Sequence, residues 1–184
     1  MRKAIVGIVM GLCLLAVAPP ALAEETKCRG TIGAKTLDNV RVPQGATCTL
    51  NGTKVQGTVK VERNAVLFAN DVHVVGNVQG ENAKNVVVRD GSFVGGSVQV
   101  VQGKRATVAG SRVNFDILYD DNAERVLARN NRVGGNVQAF QNTGGVVIAD
   151  NHIDGNLQCK ANSPPPTGGD NVVQGNKEDQ CKKL

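Results

Sequence analysis

The sequence predicts an all-β fold, a right-handed parallel β-helix of about seven coils of 19–20 residues with a disulfide at each end. Three observations carry that expectation. A motif of Gly, a small polar residue and Val returns every 19–20 residues. Large rings are scarce, with no Trp, one Tyr and four Phe. Four cysteines stand as two pairs near the two ends, each pair about one repeat apart. Fixed-period self-similarity is the signature of a stacked architecture, and few aromatics imply a thin core of β-branched side chains.

The repeat is anchored at Asp38, Gly57, Gly76, Gly96, Phe115, Gly135, Gly155 and Gly175, in steps of 19, 19, 20, 19, 20, 20 and 20 residues. Two residues before the anchor stand Val55, Val74, Val94, Val113, Val133, Ile153 and Val173. Two after it stand Val40, Val59, Val78, Val98, Ile117, Val137 and Leu157. Such residues suit a buried, pleated position. Strand alternation then points the next column outward: Arg41, Lys60, Gln79, Gln99, Leu118, Gln138 and Gln158. Five before the anchor only Gly, Asn and Asp occur (Gly52, Asp71, Gly91, Gly110, Asn130, Asp150, Asp170), which marks a turn at positive φ. One residue later come Thr53, Ser92, Ser111, Asn131, Asn151 and Asn171, small polar groups suited to hydrogen-bonded ladders, with Val72 as the exception.

One such repeat is too small to bury its own apolar face. Stacked at about 4.8 Å, the coils pair every strand with its equivalents above and below, and the Val columns become one core. A leucine-rich solenoid is excluded because no L-x-x-L-x-L pattern occurs. A left-handed hexapeptide helix fits poorly because the step does not divide by six.

Residues 1–23 read as an export signal. Arg2 and Lys3 precede an apolar run, and Ala21-Leu22-Ala23 forms a small-x-small cleavage site. The run is shorter than the roughly 20 residues a membrane span needs. Cleavage after Ala23 places the chain in a secreted or periplasmic setting and leaves residues 24–184 as a single β-helix domain, with a capping segment at about 159–184. That part carries 19 Lys and Arg against 16 Asp and Glu, a net charge of +3. So weak a basic balance gives no case for nucleic acid.

Removal of the signal takes Cys13 and leaves Cys28, Cys48, Cys159 and Cys181. Neighbouring coils satisfy disulfide geometry, whereas an end-to-end link would cross some six coils, on the order of 30 Å. The expected bridges are therefore Cys28–Cys48 and Cys159–Cys181. Residues 163–169, Ser-Pro-Pro-Pro-Thr-Gly-Gly, read as a surface loop that interrupts the last coil and stays out of the ladder.

The motifs Gly76-Asn77-Val78-Gln79, Gly135-Asn136-Val137-Gln138 and Gly155-Asn156-Leu157-Gln158-Cys159-Lys160 resemble those of secreted bacterial right-handed β-helix proteins, the pectin-lyase-like superfamily in the broad sense, closest to uncharacterised exported members. That resemblance implies the β-helix fold. It also brings polysaccharide lyases and hydrolases into view, although fold alone confers no activity.

Three surface features are candidates for function. A column three residues before the anchor, Lys54, His73, Phe93, Arg112, Arg132 and His152, would form an outward basic stripe able to follow an anionic polymer. The outward glutamines, with Asn77, Asn136 and Asn156, would form a planar amide face suited to a neutral sugar. The coil from Phe115 to Arg125 departs most from the repeat and gathers Asp116, Asp120, Asp121 and Arg125, the only ingredients for carbohydrate chemistry. Ca²⁺ wants six to eight oxygens from several directions, which this coil does not supply. His73 and His152 lie four coils apart, too far to share a metal. The expectation is a non-enzymatic exported structural or surface-interaction protein that binds an envelope or extracellular glycan, with no cofactor and no metal. The alternative is a minimal or vestigial polysaccharide lyase or hydrolase acting at residues 115–125.

Overall fold

A computed structural model describes residues 24–184 as three parallel sheets wound into a β-solenoid of about eight turns. The expected signal peptide lies outside the described residues. The nine strands of the first sheet are Glu25–Lys27, Asn39–Val42, Val59–Val61, Val78–Glu81, Val98–Val101, Ile117–Asp120, Val137–Phe140, Leu157–Lys160 and Lys177–Asp179. The second sheet runs from Gly30–Ile32 to Thr167–Gly169, and the third from Thr36–Leu37 to Val172–Val173, with eight strands each. Every ladder pairs equivalent positions of successive repeats: Val78 opposite Val98, Val98 opposite Ile117, Val137 opposite Leu157.

There is one more coil than the repeat counts. In the first sheet Lys27 lies opposite Arg41, so the opening turn advances only 14 residues and carries no Gly-x-Val motif. Its short path escapes a search at a period of 19–20.

The inward Val columns are fully buried along most of the stack. Tyr119 is the largest fully buried side chain. It occupies an inward position between Val100 and Ala139, and the small Ala139 leaves it room. Its hydroxyl donates to the Leu127 carbonyl at 2.8 Å, and burial pushes its pKa far above the ordinary phenol range. Tyr119→Phe leaves that carbonyl without its donor. The variant should lose about 1 kcal/mol, a fall of about 2–4 °C in thermal melting.

Polar ladders run inside the stack at two corners. The expected one passes through Asn131, Asn151 and Asn171: Asn131 Nδ2 donates to Asn151 Oδ1 and Asn151 Nδ2 to Asn171 Oδ1, and each of these oxygens also accepts the backbone N–H of the preceding Asn. A second, which the columns above do not contain, joins Asn122, Asn142 and Asn162 and ends on Gln180. The positive-φ turn is present at all seven of these corner positions, from Gly52 to Asp170. A second left-handed turn follows the first sheet at Asn82, Gln102, Asp121, Gln141 and Ala161. Gln and Ala do not advertise positive φ, so this corner is hidden in the sequence.

Most anchor glycines answer to crowding between coils. A Cβ on Gly76 or Gly155 would lie 2.6 Å from the carbonyl oxygen of the preceding anchor. The two disulfides are as expected, with Cα–Cα separations of 5.5 and 5.2 Å. Each cysteine pair is offset by two residues from the ladder, since Cys48 faces Gly30 and Cys159 faces Asp179. Buried Leu184 adds to the C-terminal cap.

The expectation for residues 163–169 needs correcting. Thr167–Gly169 is the last strand of the second sheet, with Thr167 opposite Val147, and the 20-residue step leaves no insertion. Proline removes only its own N–H. Thr167 and the two glycines keep theirs, and the glycines take φ of +131° and +151°.

Candidate functional site

The four residues of the deviant coil take separate duties. Asp116 belongs to a third polar ladder along the corner between the third and first sheets, through Asn39, Thr58, Asn77, Ser97, Asp116, Asn136, Asn156 and Asn176. Its Oδ1 accepts from the Asn136 backbone N–H at 2.6 Å and from Asn136 Nδ2 at 3.1 Å. Asp120 ends a first-sheet strand beside a shallow 270 Å³ groove lined by Phe140, Gln141, Lys160 and Ala161. One of its carboxylate oxygens is buried without a hydrogen-bond partner. Asp121 holds the left-handed turn with φ +53°. Arg125 stands just before a second-sheet strand, around the corner, where it lines a different groove with Arg105, Thr107 and Leu127. Asp116, at the corner before the strand, and Asp120, at its end, are four residues apart, about 13 Å for extended chain. Glycosidase carboxyls stand roughly 5–9.5 Å apart. No cluster of three or more His, Cys, Asp or Glu positioned for a metal occurs among the described residues.

The outward amide face is largely engaged with itself. Gln138 Nε2 donates to Gln158 Oε1 at 2.8 Å, Gln158 donates to Glu178 at 2.9 Å, and Gln79 reaches Gln99 at 3.4 Å. Leu118 breaks the row. Asn77, Asn136 and Asn156, expected near this face, spend their side-chain oxygens on the corner ladder.

Three surface arginines are neutralised by carboxylates one coil away. Arg105 meets Glu124 at 2.8 Å, Arg129 meets Asp150 at 3.0 Å, and Arg41 lies between Glu25 at 2.7 Å and Glu62 at 3.2 Å. The hydrogen bond from Arg41 holds the Glu62 carboxyl below its usual range, helped by the Gln44 backbone N–H.

The third sheet sets its cations in one file. Register places Lys54, His73, Phe93, Arg112, Arg132 and His152 directly opposite one another in a single file, closed by Val172. Lys54, His73, Arg112 and Arg132 are exposed, and none of them makes an ion pair among the described residues. His152 alone has a carboxylate neighbour, Asp154 at 3.3 Å. The His73 ring stacks on Phe93 with centroids 4.7 Å apart. The three large apolar side chains most open to solvent, Val75, Phe115 and Val172, lie on this sheet or at its border. The sequence columns reveal the stripe; its lack of acid partners appears only in the folded chain.

Two disulfides fit an oxidising compartment, extracellular or periplasmic. No helix among the described residues is long and apolar enough to cross a membrane. No family model, curated protein or solved structure matches this chain.

Proposed function

We propose that this chain is an exported, non-enzymatic surface-interaction protein that binds an anionic glycan of a cell envelope or extracellular matrix along its third sheet. The single-file stripe of unneutralised cations carries this reading. A linear polymer with regularly spaced negative groups fits a file of side chains repeated once per coil, about 4.8 Å apart, in which Arg112 and Arg132 are direct neighbours and Lys54 lies farther along the same line. The row is one side chain wide, which favours a strand-like ligand over a broad surface. Residues 1–23 would direct export, and the disulfides would then form in the oxidising compartment.

The double variant Arg112→Gln/Arg132→Gln tests it directly. Retention on immobilised polygalacturonate should fall at least tenfold, and wild-type retention should weaken steeply as salt rises. Equal retention of wild type and variant would remove the stripe as the binding surface. Release of unsaturated or reducing products from the polymer, abolished by Asp120→Asn, would overturn the non-enzymatic part.

A further inference from the structure

Resting on the export reading above, in which residues 1–23 are removed, we infer that the chain pairs head to head with a second copy of itself through the edge strand Glu25–Lys27, the two strands running antiparallel about a two-fold axis at Thr26.

The two ends of the stack are finished differently. At the C-terminal end the chain turns under the last coil, where Gln180 donates its backbone N–H to the Cys159 carbonyl and both Cys181 and Leu184 are buried. At the N-terminal end the strands Glu25–Lys27, Gly30–Ile32 and Thr36–Leu37 are each paired on one side only. Ile32 and Leu37 pack on the core yet stay partly exposed there, whereas their equivalents one coil in, Leu50 and Val55, are fully buried. Open edges of this kind recruit another strand. In the first sheet the Cys28 N–H donates to the Arg41 carbonyl at 2.8 Å, and the Glu24 carbonyl accepts from Asn39 at 3.0 Å. Strand alternation therefore aims the N–H and C=O of Glu25 and Lys27 at the open edge.

Charge selects the occupant of that edge. From Glu24 to Arg29 it reads Glu-Glu-Thr-Lys-Cys-Arg, acidic at its start and basic at its end. Asp38 adds a carboxylate at the acidic end, where the Glu24 N–H donates to it at 3.1 Å. Lys27 and Arg29 make no ion pair among the described residues. An antiparallel copy centred on Thr26 sets Glu25 opposite Lys27 twice, and it brings Arg29 of each copy toward the acidic corner of the other. Because Glu25 and Lys27 both aim their backbone groups outward, each opposed pair exchanges two hydrogen bonds across the axis. Placing the axis on Glu25 or on Lys27 instead would set that residue against its own copy, like charge against like. Head-to-tail stacking is closed off by the buried tail at Cys181 and Leu184. The strand is thus complementary to itself in one register and one direction.

Sedimentation velocity on the exported protein tests this, and intact mass shows separately whether residues 1–23 are gone. One coil end is a small surface, so the wild-type mass should rise toward that of two chains as concentration passes roughly 10–100 µM. Glu25→Lys alone and Lys27→Glu alone each set like charges opposite one another and should weaken the dimer by about tenfold or more. The double variant Glu25→Lys/Lys27→Glu restores opposite charges and should recover the wild-type affinity to within about threefold. All three lie on an exposed edge and should melt like wild type when dilute. A wild type that stays monomeric at on the order of 1 mM overturns the pairing, whatever its first residue. So does a dimer that both single variants leave intact, and so does growth beyond two chains, which a two-fold contact does not allow.

Discussion

Asn142→Ala should lower the stability of the folded chain by about 3–5 kcal/mol, the largest effect expected of a single truncation away from the cysteines. Asn142 is fully buried at the centre of the ladder from Asn122 to Asn162. Its Oδ1 accepts the Asn122 backbone N–H at 3.1 Å and Asn122 Nδ2 at 2.9 Å. Its Nδ2 donates to the Tyr119 carbonyl at 3.0 Å and to Asn162 Oδ1 at 2.9 Å. Alanine removes all four bonds at once and leaves two buried donors without their partner, each costing about 1–3 kcal/mol. In a chain of this length, thermal melting should fall by roughly 10 °C. Asn114→Ala, at an exposed site, should change it little. Equal melting of the two variants would show that the interior ladder is energetically idle.

Gly76→Val should cost about 3 kcal/mol by another route. The new Cβ would lie 2.6 Å from the Gly57 carbonyl oxygen and 2.8 Å from its carbon. Relief means parting the two coils, and the bonds from Gly76 to Gly57 and from Gly96 to Gly76, both 2.9 Å, would stretch with them. Gly33→Ala is the matched control, since a Cβ there meets nothing within 4 Å. Chemical denaturation of both proteins checks the contrast. A Gly76 variant as stable as the Gly33 variant would refute close approach as the reason for the glycine column.

These two positions differ in how far the sequence announces them. Gly76 belongs to a column visible by eye, because crowding recurs at every coil. Asn142 belongs to a column whose other members include Ala83 and Gly103, and Gly103 contributes only its backbone N–H to Asn122. A buried ladder with mixed members leaves no uniform stripe of letters. The turn beside it is masked likewise, since Gln102, Gln141 and Ala161 adopt positive φ without being turn-forming types. Residues 163–169 mislead in the opposite sense: three prolines suggest a loop, yet the following Thr and two Gly retain the N–H groups that a parallel edge strand needs.

The periodic letters alone establish the repeat, its register, the inward Val columns, the disulfide partners and the single-file stripe. In a stack of equivalent coils each residue meets its own equivalent, so one period sets the pairings along the axis. Folding settles what happens across the coils: where the second corner turns, which Asn side chains point inward, and which cations find an acid. Those contacts depend on lateral placement and side-chain direction, which a period does not encode. Arg105 and Arg129 reach carboxylates 19 and 21 residues away, while Arg112 and Arg132, on the next sheet, face each other without one.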